Sequence, residues 1–136
     1  MKYPIGIQTF DQLIEHGFVY VDKTDMVYSL ATEGKIYFLS RPRRFGKSLL
    51  LSTLKAYFEG KKQWFKGLKI DALEKDWHPH RVFHFDFNGE NFTLPGALEN
   101  CLHVYLTGWE REYQLEAFEN ESFGSRFEKI LKAAAE

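Results

Sequence analysis

Ile36-Tyr37-Phe38-Leu39-Ser40-Arg41-Pro42-Arg43-Arg44-Phe45-Gly46-Lys47-Ser48-Leu49-Leu50 joins an apolar run to a basic loop, and the loop to a run of leucines. Residues 36–39 have the apolar, partly aromatic make-up of a buried strand. Gly46-Lys47-Ser48 stands where Leu50, Leu54, Tyr57 and Phe58 begin to recur at helical spacing, and Gly60 marks that helix's end.

Strand, loop and Gly-Lys-Ser at a helix start is the layout of a phosphate-binding P-loop. The first N–H groups of a helix have no partner inside it and lie at the positive end of its dipole. A polyphosphate held there accepts several N–H bonds at once, Lys47 adds a mobile positive charge, and Ser48 offers a hydroxyl to Mg²⁺. The expected nucleotide-binding residues are Arg43, Arg44, Phe45, Gly46, Lys47, Ser48 and Leu49, with Arg43 and Arg44 placed either on phosphate or in solvent. The usual pattern has glycine five residues before Gly46, where this chain has Arg41. The plainer alternative is a tight turn whose lysine and serine face water.

At 136 residues the chain is long enough for one domain with a core, and 44% hydrophobic with 17% aromatic residues argues for a packed interior. A net charge of −1 gives no global attraction for nucleic acid. A local one remains as the alternative function: a nucleic-acid-binding module using Arg41, Arg43, Arg44, Lys61 and Lys62, helped by Trp64. A third reading is a regulatory scaffold whose loop only captures anions. The single cysteine, Cys101, cannot form an internal disulfide, and with no signal peptide the chain reads as cytoplasmic. No apolar run approaches the ~20 residues of a membrane helix.

Elsewhere, Thr9 and Gln12 have capping-box spacing before a short helix stopped by Gly17, and residues 18–21 look like a brief strand. Thr24 or Asp25 caps a second helix closed by Gly34. Residues 82–87 form the second clear strand pattern, with Asp86 near its end as either a metal carboxylate or a turn former. Pro95 falls in the first turn of a long helix whose apolar face is Leu98, Leu102, Tyr105, Leu106, Trp109 and Tyr113. Phe123, Phe127, Ile130 and Leu131 mark a last helix, with Ser125 and Glu128 at capping-box spacing. His78-Pro79-His80 lacks the further ligands of a zinc site. These elements predict an α/β, three-layer P-loop NTPase-type fold with parallel strands at 36–39 and 82–87. Residues 1–136 are expected to be a single domain. Within it, 1–34 form lead-in helices and a strand, and 35–136 carry the P-loop strand and helix, then a further strand and helices.

Tyr20-Val21-Asp22-Lys23-Thr24, the string from Phe38 to Leu49, Tyr57-Phe58-Glu59-Gly60-Lys61 and Phe85-Asp86-Phe87 carry a family resemblance. With them the chain resembles the N-terminal part of the AAA-ATPase-like family, bacterial P-loop ATPases of which many are fused to a PD-(D/E)XK nuclease-like domain. That family's own loop has arginine where Arg41 stands. The resemblance implies ATP as ligand with Mg²⁺, and a partial fold truncated before its Walker B strand. It also implies a missing C-terminal part of a longer chain as partner. Phosphoryl transfer also needs a metal-holding carboxylate and a residue that orients water, so hydrolysis by these residues alone is expected to be negligible.

Overall fold

Apolar spacing acts over one or two turns, and the helices follow it, whereas the expected capping side chains do not cap them. The computed structural model describes residues 1–136 and contains α1 (Phe10–Glu15), α2 (Thr24–Glu33), α3 (Lys47–Phe58), α4 (Lys69–Leu73), α5 (Ala97–Glu112) and α6 (Phe123–Ala135). A 3-10 turn, Lys62–Trp64, precedes α4. The chain divides into two units, Met1–Val82 and Phe83–Glu136.

In the first unit α1 and α2 pack on α3, around Phe10, Val27, Ala56, Phe65, Ile70 and Trp77. Phe10 stacks on Phe65 with ring centroids 4.7 Å apart and meets Tyr20 edge-on at 5.3 Å. Burying one such ring contributes roughly 2–3 kcal/mol. The amide of Phe10, first in α1, donates to Ser52 Oγ of α3 at 2.9 Å, an acceptor the short helix cannot supply itself. The Thr9 capping box does not form, because the Thr9 hydroxyl is buried without a partner.

Neither Thr24 nor Asp25 caps α2: its N-cap position is Lys23, which makes no side-chain cap, and Asp22 just before it accepts the first amide instead. Asp22 Oδ1 accepts the Thr24 N–H at 2.9 Å and the Thr24 hydroxyl at 2.7 Å. Its other oxygen accepts the Lys69 N–H at 2.7 Å, and Thr24 Oγ1 accepts the Ile70 N–H at 3.1 Å. Two side chains therefore satisfy free amides at the starts of both α2 and α4. Within residues 20–24, Asp22 and Thr24 thus hold structure together, while Val21 and Lys23 are exposed.

The α/β expectation is wrong: the chain forms no sheet. Its one bridge is an isolated parallel contact between Lys2 and Phe18. Residues 36–39 pair with nothing, and Ile36 and Phe38 are each 94% exposed. Residues 82–87 form no ladder either. Apolar and β-branched composition favours an extended backbone, but a strand persists only where a neighbour completes its hydrogen-bond ladder. No segment among these residues supplies one, so the structure is helical and not a three-layer P-loop NTPase-type fold.

In the second unit α5 packs on α6, with Phe83 and Phe85 laid over Trp109 and Phe127 at centroid distances of 4.9 to 5.8 Å. His84, between the two phenylalanines, is exposed. The alternation that suggested a strand thus survives as packing without pairing. Helix α5 begins at Ala97, after Pro95, with Gly96 in the left-handed region at φ 76°. Helix α6 begins at Phe123, where its apolar spacing begins, but the Ser125–Glu128 capping box does not form. Ser122 Oγ caps it by accepting the Ser125 N–H at 3.2 Å, while Glu128 pairs with Lys132 at 2.8 Å. Arg126 and Glu110, both buried, form a two-pronged pair: Nε to Oε1 at 2.8 Å and Nη2 to Oε2 at 2.7 Å. Cys101 is buried and free. No helix is long and apolar enough to cross a membrane.

Candidate functional site

The loop before α3 is shaped by two left-handed residues with one ordinary residue between them. Arg44 has φ 65° and Gly46 has φ 79°. Glycine reaches this region freely, whereas arginine costs about 1 kcal/mol there. Alternating backbone handedness turns successive N–H groups toward one side and makes an anion-binding concavity. The amides from Arg43 to Leu49 donate to no acceptor in the chain; the first backbone bond into α3 is Leu50 N–H to Gly46 O at 2.9 Å. These donors lie at the N-terminus of a 12-residue helix, where the dipole favours negative charge.

Lys47 lies beside them. Its Nζ donates to the Arg41 carbonyl at 2.7 Å, and Arg41 Nη1 donates to the Phe45 carbonyl at 3.3 Å. Both contacts are solvent-exposed, so a stronger acceptor can displace the lysine. Arg43 and Arg44 are exposed and make no hydrogen bond or ion pair with the chain. Ser48 is exposed in the first turn of α3. Its hydroxyl is one oxygen ligand of the kind Mg²⁺ takes, and no group of three or more His, Cys, Asp or Glu stands ready to add a protein cage. The residues therefore fit a cation held chiefly by phosphate oxygens and water, with Ser48 contributing one ligand.

A largely apolar cleft of about 760 Å³ opens beside the loop. Arg41, Phe45 and Gly46 border it, together with Met26 and Leu30 of α2 and Leu49 of α3. No spacing in the sequence announced this cleft, because its walls come from separate elements. Tyr20 also lines it, with burial pushing its hydroxyl pKa up against the smaller opposing pull of Thr53.

Other candidates fall apart on placement. Lys61 and Lys62 follow the C-terminal end of α3, whereas Arg41, Arg43 and Arg44 precede its N-terminus. Twelve residues of α-helix put about 18 Å between these groups, so they do not form one continuous basic face. Lys61 instead lies over the Trp64 ring, 5.9 Å from its centroid. Asp86 is a turn former, its Oδ1 accepting the backbone N–H of Asn88 at 2.9 Å and the side-chain amide at 2.7 Å. His78 and His80 meet edge to face, with centroids 5.1 Å apart, and belong to no metal cluster.

Comparison with known proteins gives a match between residues 4–136 and the family described as predicted AAA-ATPase. The chain is also 38% identical, over 135 residues, to a protein of Azotobacter chroococcum mcd 1 described as an uncharacterized protein in the vnfD 5′ region. That alignment covers 98% of this chain and 26% of the relative, so the chain spans about a quarter of the relative's length. No solved structure matches the chain.

Proposed function

Because this chain belongs to the predicted AAA-ATPase family, we propose that the loop from Arg43 to Leu49 binds the phosphates of a nucleoside triphosphate, ATP, together with Mg²⁺. The observation that carries this reading is the set of unpaired amides from Arg43 to Leu49, with Arg44 and Gly46 both at positive φ. Exposed amides are satisfied by water in the free chain. A phosphate replaces several waters with one acceptor and receives charge-assisted bonds at the positive end of α3.

Gly46, Lys47 and Ser48 supply N–H donors around one phosphate. Lys47 exchanges the Arg41 carbonyl for a phosphate oxygen, a swap that strengthens the bond because the new acceptor is charged. Ser48 provides one oxygen to the cation, which when bound neutralises phosphate charge. The apolar cleft bordered by Phe45 and Met26 receives the nucleoside. Binding rather than turnover is the function assigned to these residues.

The test is thermal unfolding with ATP and Mg²⁺. A ligand at 100 times its Kd stabilises the folded chain by about 2.7 kcal/mol. Lys47→Ala should lose that nucleotide-dependent stabilisation while its ligand-free melting temperature stays near that of wild type, since the one hydrogen bond the side chain makes is to an exposed carbonyl. A variant stabilised as much as wild type refutes the reading.

A further inference from the structure

We infer that Arg41 is a positioning residue for the loop, one whose guanidinium fixes the direction of the Gly46 N–H rather than contacting the anion. The inference rests on the phosphate-binding reading of the same loop. Arg41 Nη1 donates to the Phe45 carbonyl at 3.3 Å. A trans peptide is planar and its C=O and N–H point in opposite directions. Holding the Phe45 carbonyl toward Arg41 therefore aims the N–H of Gly46, across the same peptide bond, to the other side. That N–H has no acceptor in the chain.

The peptide most in need of such a hold is this one. It lies between Phe45 and Gly46, and glycine can flip its flanking peptides at little steric cost. Gly46 is at φ 79° with nothing within 4 Å of where a Cβ would stand, so packing does not restrain it. Phe45 is 62% exposed and gives no restraint either. The Arg41 guanidinium is the one side chain that bonds the Phe45–Gly46 peptide. The Arg41 carbonyl holds Lys47 Nζ as well, so one residue braces the loop at both the donor peptide and the ammonium. In the usual spacing this position is glycine, which has no side chain to hold that peptide.

The experiment pairs titration of ATP with Mg²⁺ by calorimetry and the amide spectrum of the ligand-free chain. Arg41→Ala is expected to weaken ATP binding about five- to tenfold, the loss of one exposed charge-assisted hydrogen bond. The Gly46 amide peak should also move in the free protein, before any anion is present. The melting temperature should hold, since the residue is exposed. Weakened binding with an unmoved Gly46 peak overturns the inference in favour of direct phosphate contact, and unweakened binding overturns it outright. If wild type binds no ATP, the phosphate-binding reading fails and takes this inference with it. Wild-type binding retained in Arg41→Ala removes the inference alone.

Discussion

Thr24 Oγ1 accepts the backbone N–H of Ile70 at 3.1 Å, and its own proton goes to Asp22 Oδ1 at 2.7 Å. Thr24 is fully buried, so water cannot stand in for its hydroxyl at the buried Ile70 amide. Thr24→Val keeps the shape but strands the Ile70 amide and removes a donor from Asp22. The expected cost is about 1–3 kcal/mol, the penalty for a buried donor left without an acceptor. Urea unfolding should show the midpoint falling with the slope unchanged; a shift of a few tenths would mean that α4 reorients to recover its bond.

Asp22 also makes the first unit acid-sensitive. Burial works against its ionisation, but the Thr24 hydroxyl and the amides of Thr24 and Lys69 together hold its carboxyl below the ordinary 3.8. A carboxylate depressed on folding contributes stability above its unfolded pKa and loses it as pH falls through the lower, folded value. The melting temperature should therefore decline as pH drops below about 4. Asp22→Asn should be less stable at neutral pH and show a shallower acid decline. Equal slopes for the two proteins would assign the acid loss to other carboxylates.

The helix start at Lys47 was legible because its signals lie within one turn: a glycine able to take φ 79°, then leucines at helical spacing. Residues 36–39 were misread for the opposite reason. Their composition reports a preference for extended backbone, while a sheet depends on a partner elsewhere in the chain. The bonds from Asp22 and Thr24 to the Lys69 and Ile70 amides were hidden similarly, since those amides lie in α4, a five-residue helix with no periodicity to announce it. At Ser122 the signal was present but competed with a better-looking one, because Ser125 followed by Glu128 fits the capping box that Ser122 followed by Ser125 does not. The loop residues themselves were readable; the Arg41 side chain bonding back to Phe45 was not, since that contact belongs to no spacing rule.

Arg126 and Glu110 are the strongest charge pair in the second unit, with the Glu110 carboxyl held below its ordinary 4.5 chiefly by the hydrogen bonds from Arg126. Arg126→Met should cost about 3–5 kcal/mol, because it leaves a carboxylate buried without a partner. Adding Glu110→Leu should restore most of that loss, since the apolar pair no longer carries a charge to desolvate. Unfolding free energies of the four proteins form a double-mutant cycle. Additive losses would show that solvent reaches Glu110 in the folded unit.

Ser48 separates cation binding from phosphate binding. Its hydroxyl is exposed in the first turn of α3, while the amide donors beside it belong to the backbone and survive any side-chain change. In EDTA, Ser48→Ala should therefore bind ATP as wild type does. Adding Mg²⁺ should tighten binding in wild type and do so about tenfold less in the variant, which has lost one charge-assisted oxygen ligand. Lys47→Ala should instead lose affinity with or without the cation, because its ammonium pairs with phosphate directly. Calorimetric titrations in EDTA and in Mg²⁺ distinguish these patterns, and an undiminished Mg²⁺ gain in Ser48→Ala would show that phosphate oxygens and water hold the cation without help from the serine.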